Sequence, residues 1–170
     1  MTAFEKNAEN IVEKTILWRT ASLLWGVRNG LRLEGDFVEG GCYKGTTARI
    51  LCEAVNFNEY NNRHYYLYDL FEHDASMNHH AMPEHGETLF EQVKNRFSDF
   101  SNVTVTQGKV PDVLKQVAPQ KIAFMHLDMN NAEAEVGALD VLFERMVPGA
   151  ILILDDYGWM GYRDQKTAED

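Results

Sequence analysis

Cysteine is scarce in this chain of 170 residues, which has only Cys42 and Cys52. Two thiols cannot form the disulfide framework of a small secreted domain. The N-terminal sequence Met-Thr-Ala-Phe-Glu-Lys has neither the charged lead nor the apolar block of a signal peptide. We therefore predict that the protein works in the reducing cytoplasm.

The sequence has fewer basic than acidic residues, and it contains no long apolar run. Sixteen Lys and Arg side chains face 26 Asp and Glu side chains, which leaves a formal net charge of −10. A protein of this charge, without a basic cluster, is a poor match for nucleic acid or for an anionic membrane surface. The longest aliphatic stretch, Ala150 to Leu154, is too short to span a bilayer. We expect neither kind of partner.

The chain is long enough for one domain with a proper core, and its segments alternate between helix and strand patterns. An amphipathic helix is predicted over 9–26, where Trp18 and Trp25 recur at helical spacing and are expected to be core residues. The other predicted helices cover 46–55, 88–97, a short segment from 112, and 132–146, and the predicted strands cover 36–39, 64–70, 103–107, 122–127 and 150–154. This alternation predicts an α/β fold, in which a parallel sheet carries helices on both faces.

A glycine-rich turn follows the first predicted strand and opens into a helix. Glycine lets a ligand approach the backbone closely, and the start of a helix offers unpaired N–H groups. The spacing Glu-x-Gly-x-x-x-Gly differs from the Gly-x-Gly-x-x-Gly of dinucleotide binders, which disfavours a nicotinamide-dependent oxidoreductase. A carboxylate on this rim suits a ligand that carries ammonium or ribose hydroxyl groups. The predicted cofactor-binding residues of this turn are Glu39, Gly40, Gly41, Gly45 and Thr46.

Acidic residues lie at or just past the ends of four predicted strands, and they are Glu39, Asp69, Asp128 and the pair Asp155-Asp156. Ligands of parallel α/β sheets bind outside the carboxyl ends of the strands, where the strand order reverses. Neighbouring strands lie about 4.8 Å apart, so acids at these ends share one rim. They would repel one another unless cations or hydroxyl donors satisfied them. Asp128, Asp155 and Asp156 together offer hard oxygen ligands suited to Mg²⁺.

Five blocks of the sequence, in this order, resemble the class I S-adenosylmethionine-dependent methyltransferases, and more closely the macrocin O-methyltransferase (TylF-like) family. The blocks are Gly-Asp-Phe-Val-Glu-Gly-Gly at 35–41, Tyr-Asp-Leu-Phe-Glu at 68–72, Gln-Gly-Lys-Val-Pro-Asp at 107–112, His-Leu-Asp-Met-Asn at 126–130, and Pro-Gly-Ala-Ile-Leu-Ile-Leu-Asp-Asp-Tyr-Gly at 148–158. The resemblance implies a Rossmann-like methyltransferase fold and S-adenosylmethionine as the cofactor.

The resemblance also implies a role for several residues. Glu39 and Gly41 would flank the methionine part of the cofactor, and Asp69 would hold its ribose hydroxyls. Gln107 and Gly108 would lie along the adenine, and Asp128 would also border the cofactor. The divalent-metal ligands would be Asp128, Asp155 and Asp156.

Two departures from the family pattern bear on function. Many relatives have Asp-x-Asp where this chain has Asp128-Met129-Asn130. The resemblance implies that the second acid of that motif is the general base in those relatives. Asn130 cannot accept a proton at neutral pH, although it can hydrogen-bond a substrate hydroxyl. Relatives also continue with a further helix and an antiparallel strand pair. We therefore expect either that the sequence is truncated or that the sheet edge beyond the last strand is exposed or filled by a partner.

Other residues have simpler interpretations. The segment from Glu72 to Glu87 contains four histidines (His73, His79, His80 and His85) without zinc-site spacing, so we expect a mobile, solvated loop over the active site. His126 is predicted to be a satisfied group beneath Asp128 rather than a base. The spare base candidates are His73, Glu133 and Glu135.

We predict a helical cap over residues 1–30 and a cofactor-binding methyltransferase domain over 31–170. The predicted activity is Mg²⁺-assisted methyl transfer from S-adenosylmethionine to a hydroxyl of a small molecule of sugar or natural-product type. Asp128 and Asn130 are the predicted catalytic residues, and a homo-oligomer is a possible assembly. The alternative is a catalytically weak subunit that keeps the cofactor pocket and acts in binding or assembly, which Asn130 and the short C-terminus favour.

Overall fold

The structure is a computed structural model that describes residues 2–11, 16–73 and 82–170. Its strands are β1 Asp36–Gly40, β2 Tyr65–Asp69, β3 Val103–Gln107, β4 Ile122–Leu127 and β5 Met146–Leu154. Its helices are α1 Ala3–Lys6, α2 Ile16–Gly30, α3 Thr46–Val55, α4 Leu89–Arg96, α5 Ala132–Leu142 and α6 Arg163–Glu169. No helix among the described residues is long and apolar enough to cross a membrane.

The five strands form one parallel sheet in the order β3-β2-β1-β4-β5. The chain builds outward from β1 to β3 in one direction and then returns to place β4 on the other side of β1. The strand order therefore reverses between β1 and β4, which is where ligands of such sheets bind. The predicted α/β class and parallel sheet are confirmed, and no antiparallel strand pair is among the described residues.

Helices cover both faces of the sheet, as predicted, because strand residues alternate between two buried clusters. On one face, Phe37 and Phe124 pack with residues of α2, α3 and α4, such as Leu23, Leu51 and Val93. On the other face, a second cluster contains Val38, Tyr68, Met125, Val113 and Leu142. All six residues of β4 are buried, so the strand that carries Asp128 at its end is fixed between two layers.

Helix α2 differs from the prediction in both its bounds and its buried face. It runs from Ile16 to Gly30, whereas residues 12–15 lie outside the described residues. The expectation that Trp18 and Trp25 are core residues is wrong, because these side chains are 67% and 58% exposed. Leu23 and Val27 are buried instead. Gly26 explains this choice, since a Cβ there would lie 2.7 Å from the ring of Phe124, so only glycine lets this face approach the sheet.

The last strand also begins earlier than predicted. Helix α5 ends at Leu142, a short 3-10 turn covers Phe143–Arg145, and β5 begins at Met146. Pro148-Gly149 therefore lies inside the strand and does not terminate the preceding helix. The pairing register with β4 shifts from Ile122 opposite Met146 to Phe124 opposite Ile151, which marks a bulge. A proline is compatible with this position because β5 pairs on one side only among the described residues.

The predicted division into a cap (1–30) and a cofactor domain (31–170) stays a prediction. Helix α2 packs on α3, β4 and β5, which places the N-terminal region on the sheet that carries the acidic rim. Both cysteines are free and buried, as expected for a protein without a disulfide framework.

Candidate functional site

Asp128 and Asp155, two of the acids predicted to share a rim, lie side by side because backbone hydrogen bonds align the strand ends that carry them. The amide of Asp128 donates to the carbonyl oxygen of Gly40 (2.9 Å), and the amide of Asp155 donates to that of Leu127 (3.0 Å). These bonds place the ends of β1, β4 and β5 side by side. The carboxylates of Asp128 and Asp155 consequently lie close together at the end of the sheet where the strand order reverses.

Glu39 is buried below this rim, with only 1% of its surface exposed. The hydroxyl of Tyr65 on β2 donates to its Oε2 at 2.7 Å, and the Nδ1 of His126 on β4 lies 3.8 Å from the same oxygen. A buried carboxylate is costly unless it is paired. Glu39 therefore has a hydrogen-bond donor on one side and a cationic partner on the other.

His126 lies between two carboxylates. Its Nε2 is 3.8 Å from Oδ1 of Asp155, the same separation as that between Nδ1 and Glu39. These distances are too long for hydrogen bonds but short enough for ion pairs. Burial lowers the pKa of the imidazole, but Asp155 and Glu39 outweigh that effect and raise it to about 10. The prediction of a satisfied group is wrong, because neither ring nitrogen has a hydrogen-bond partner among the described residues. The raised pKa instead favours a charged imidazole that pairs with both carboxylates.

Arg19 of α2 reaches the same rim and joins two of its acids. Its Nη1 lies 2.9 Å from Oδ2 of Asp128 and 2.5 Å from Oδ2 of Asp155. Burial lowers the pKa of Arg19, and the two carboxylates raise it by more, so the group stays charged. Burial and the neighbouring Asp155 raise the pKa of Asp128. For Asp155, the effects of His126 and Arg19 exceed that of burial and lower the pKa.

The predicted metal ligands are only partly brought together. Among the described residues, the group that could hold a metal ion consists of His126, Asp128 and Asp155, whose ligand atoms lie within 4.8 Å of one another. Asp156 is not in that group. It directly follows Asp155 in the chain, and burial, Asp155 and Glu135 raise its pKa to about 6. The oxygen donors suit a hard cation, but Arg19 already occupies one oxygen of Asp128 and one of Asp155.

The glycine turn lies directly against this cluster. Gly41 has φ +82°, and a Cβ there would lie 1.9 Å from the carbonyl oxygen of Asp128. Only glycine can therefore connect β1 to α3 while β4 ends beside it. Gly45 precedes α3 in a left-handed conformation, and Thr46 begins the helix as a buried residue. The turn lies where it was predicted, between β1 and α3. Contact of the cofactor with Gly40, Gly41, Gly45 and Thr46 stays a prediction.

Asp69 holds the glycine turn against the end of β2. Its Oδ2 accepts from the amide of Tyr43 (2.6 Å), and its Oδ1 accepts from that of Phe71 (2.7 Å). Burial raises the pKa of this carboxyl, and the two amides act against that rise. Each oxygen keeps a lone pair beyond these bonds, so a ribose hydroxyl could still donate to Asp69. Its predicted ribose role is compatible with the geometry.

Gln107 and Gly108 follow β3 beside Asp69. The Nε2 of Gln107 donates to the carbonyl oxygen of Leu70 (3.1 Å) and to Glu72 (3.3 Å), and Gly108 donates its amide to the carbonyl oxygen of Asp69 (3.0 Å). These contacts connect the ends of β2 and β3. The two residues therefore lie next to the predicted ribose acid, on the side where the adenine is expected.

Asn130 lies in the short connection between β4 and α5 and has a left-handed backbone with φ +52°. Asn131 accepts from the amide of Ala134 (2.9 Å) and caps α5. Glu135 accepts from the amide of Met129 (2.8 Å) and is buried. Burial, followed by a neighbouring Glu169, raises the pKa of Glu135. This spare base candidate therefore holds the connection in place.

The histidine-rich segment is described only in part, because His79 and His80 lie outside the described residues. Its later part contacts the glycine turn. The hydroxyl of Tyr43 and the ammonium of Lys44 both hydrogen-bond Glu84, and the rings of Tyr43 and His85 meet edge to face. The described part thus lies beside the predicted cofactor site. The predicted mobility of this segment stays a prediction.

Three residues of the site were missed by the sequence analysis. They are Arg19, Tyr43 and Tyr65. Tyr65 could have been found, because Phe37–Gly40 and Tyr65–Tyr68 pair in parallel, and a buried Glu39 needs a donor from a neighbouring strand. Tyr43 contributes a backbone amide, and Arg19 comes from a helix 109 residues away from Asp128. No local sequence pattern signals either contact.

Comparison with known proteins identifies the family of the chain. A family model described as a methyltransferase domain matches residues 38–157. The chain belongs to this family. The matched range begins within β1 and ends after Asp156, so it contains the whole acidic rim. The prediction of a methyltransferase is confirmed at this level, whereas the narrower TylF-like assignment stays a prediction.

Individual methyltransferases agree with this assignment. A Streptomyces olivaceus 8-demethyl-8-(2,3-dimethoxy-alpha-L-rhamnosyl)-tetracenomycin-C 4'-O-methyltransferase is 27% identical over 145 residues, which are 76% of this chain and 56% of that protein. The chain thus spans little more than half the length of this relative. The O-methyltransferase NovP shares the fold with a TM-score of 0.73 at 21% identity, over 89% of this chain and 69% of NovP. The TDP-rhamnose 3'-O-methyltransferase CalS11 matches with a TM-score of 0.67 at 17% identity, over 97% of this chain and 73% of CalS11.

Proposed function

We propose that this domain transfers a methyl group from S-adenosylmethionine to a hydroxyl of a small molecule, and that the acceptor is a sugar or a sugar-bearing natural product. The observation that carries the proposal is the match of the methyltransferase-domain family to residues 38–157, the range that contains the acid–glycine turn. The names of two similar proteins describe rhamnose O-methylation, which supports the acceptor class.

The cofactor would bind along the ends of β1, β2 and β3. Asp69 would accept from the ribose hydroxyls, the glycine turn would allow close approach of the methionine part, and Gln107 and Gly108 would border the adenine. When bound, S-adenosylmethionine supplies a sulfonium methyl group, which passes to the acceptor oxygen as that oxygen loses its proton. The main task of the protein is alignment, which can contribute about 7–11 kcal/mol to lowering a barrier.

Asp128 is the proposed proton acceptor. Burial and Asp155 raise the pKa of Asp128 above its ordinary value, and a base is most effective when its pKa lies near the working pH. Asn130, two residues further on, would hydrogen-bond the acceptor hydroxyl without accepting its proton. No step is assigned to the predicted Mg²⁺, because Arg19 already binds Asp128 and Asp155.

The test is transfer of a labelled methyl group from S-adenosylmethionine to a panel of rhamnosylated aromatic polyketides and nucleotide-linked deoxysugars. We expect turnover by the wild type, a loss of about 10²-fold or more in Asp128→Asn, and a modest change in Asn130→Asp. Asp112→Asn is the matched control, since Asp112 pairs with Lys115 on the surface. Full activity of Asp128→Asn would refute its role as the base.

A catalytically weak subunit that binds the cofactor is the second candidate. Two points favour it: the family resemblance implies an acid at the position of Asn130, and Arg19 bridges the neighbouring carboxylates. In this case the wild type should bind S-adenosylhomocysteine but transfer no methyl group to any member of the panel. Asn130→Asp alone should then restore slow transfer, which separates the two candidates.

We also propose a cytoplasmic homo-oligomer that binds neither nucleic acid nor membranes. The free buried cysteines and the net charge of −10 support the location and the excluded partners. The edge of β5 that pairs with no strand among the described residues, together with the exposed Trp18 and Trp25 on α2, supports self-association. Sedimentation velocity should give more than the monomer mass of 19.5 kDa, and Trp18→Ser with Trp25→Ser should reduce it. A strictly monomeric wild type would contradict this assembly.

A further inference from the structure

Arg19 takes up the position between two acids in which a divalent cation would be expected. One nitrogen, Nη1, lies 2.9 Å from Oδ2 of Asp128 and 2.5 Å from Oδ2 of Asp155. A Mg²⁺ ion needs oxygen ligands at about 2.0–2.1 Å in near-octahedral geometry. An ion that used both of these oxygens would collide with the guanidinium and be repelled by its charge. Arg19 and a divalent cation therefore exclude each other at this pair.

The charges of the rim are already largely compensated without a metal. Asp128 and Asp155 are only 17% and 13% exposed at their side chains, so their charges require cationic partners. Arg19 bridges them, and His126 lies between Asp155 and Glu39. The two acids thus already share a bound cation, and a divalent ion at the same two oxygens would have to displace the guanidinium.

The position of Arg19 follows from the packing of its helix. On the same helix, Leu23 and Val27 are buried in the core, and Gly26 allows close contact with Phe124 of β4. The helix also contacts β5, whose end carries Asp155. The Arg19 side chain is 27% exposed, and its buried Nε has no hydrogen-bond partner among the described residues. The packing of the helix thus fixes the position of Arg19. Its guanidinium group still has N–H donors that the two acids do not use.

We infer that Arg19 is the resident cation of the Asp128–Asp155 pair, so that this domain holds its acidic rim together without a divalent metal ion. A planar guanidinium hydrogen-bonds carboxylates in a defined direction and is always charged. It fixes the two carboxylates as a metal would, but it offers N–H donors in place of an open coordination site. The inference concerns cation binding alone and does not require methyl transfer.

The test is a Mn²⁺ titration followed by the electron paramagnetic resonance signal of the free ion, with Mn²⁺ as the probe. The wild type should bind no Mn²⁺ at the rim up to about 1 mM. Arg19→Gln should gain a site at least 10-fold tighter than any in the wild type, and the added change Asp128→Asn should remove it. Arg28→Gln is the matched control, because Arg28 is an exposed arginine of the same helix and its loss alters the net charge equally.

Tight Mn²⁺ binding by the wild type that is lost in Asp128→Asn would overturn the inference. A folded Arg19→Gln variant without a new site would overturn it too. If Arg19→Gln folds only when Mn²⁺ is present, the ion replaces the missing charge and the inference is supported. If that variant does not fold at all, the wild-type titration decides. Methyl transfer is not measured, so this result and that of the proposed function can fail separately.

Discussion

At the scale of single residues, each charge of the rim is balanced by a residue from a different element. Tyr65 of β2 and His126 of β4 face Glu39 of β1, while Arg19 of α2 faces Asp128 and Asp155. Such a network is costly if one member is removed, because the remaining charge stays buried without a partner. Substitutions in it are therefore informative about both stability and binding.

Asp69 is predicted to serve the fold and the cofactor together. In Asp69→Ala, the amides of Tyr43 and Phe71 lose their acceptors, and an unsatisfied buried group costs about 1–3 kcal/mol. We expect this loss of stability in urea unfolding and at least a tenfold weaker affinity for S-adenosylhomocysteine in calorimetric titration. Asp112→Ala, at an exposed acid, should change neither quantity. Unchanged affinity in Asp69→Ala would rule out the ribose role.

His126 predicts a pH dependence. Its pKa is raised from 6.5 to about 10 in the folded state, so the stability that its charge contributes is fully present below pH 6.5. That contribution is lost as the pH rises through about 10. The difference in free energy of unfolding between wild type and His126→Gln should therefore shrink between these values, by an amount on the order of a few kcal/mol.

Urea unfolding at pH 6, 8 and 10 measures this difference. His64→Gln is the control, because burial lowers the pKa of His64, and its contribution should not decline over this range. A difference between wild type and His126→Gln that is constant with pH would mean that the imidazole is not charged in the folded protein.

At the scale of elements, most strands were predictable, but the start of β5 and the packing of α2 were not. The strands Val103–Gln107 and Ile122–Leu127 and the helix Thr46–Val55 have the predicted bounds, because local apolar patterns specify them. The acids at the strand ends followed from the parallel topology. The buried face of α2 depends on Gly26 meeting Phe124, a tertiary contact that the spacing of Trp18 and Trp25 could not reveal. For the same reason, Arg19 was missed.

The connection between β1 and α3 gives a test of the close approach at Gly41. Gly41 and Gly158 have nearly equal positive φ angles, +82° and +80°. A Cβ at Gly41 would lie 1.9 Å from the carbonyl oxygen of Asp128, whereas a Cβ at Gly158 meets nothing within 4 Å. The two alanine variants therefore share the backbone strain but differ in the clash.

We expect Gly158→Ala to cost about 1–2 kcal/mol in free energy of unfolding. Gly41→Ala should cost more than about 3 kcal/mol, because a clash between backbone atoms is added to the strain. Urea unfolding curves of the two variants measure both values. Equal costs would mean that β4 does not end against the turn as described.

At the scale of the whole molecule, the sheet brings a glycine turn and a group of acids together at the carboxyl ends of its strands, while Trp18 and Trp25 of α2 are exposed. The cofactor site is predicted to lie entirely within the described elements, between β1 and β3. The chain spans 56% of the length of its Streptomyces olivaceus relative. It can therefore be measured directly whether these elements are sufficient to bind the cofactor.

Binding of S-adenosylhomocysteine should raise the thermal stability of this chain. A ligand that binds only the folded state, at 100 times its dissociation constant, adds about 2.7 kcal/mol to the free energy of unfolding. For a domain of this size, that gain corresponds to a rise of about 5–10 °C in melting temperature. Asp69→Ala should reduce the rise at the same ligand concentration, and Asp112→Ala should reproduce that of the wild type. No rise at millimolar ligand would mean that the ends of β1, β2 and β3 do not form a cofactor site on their own.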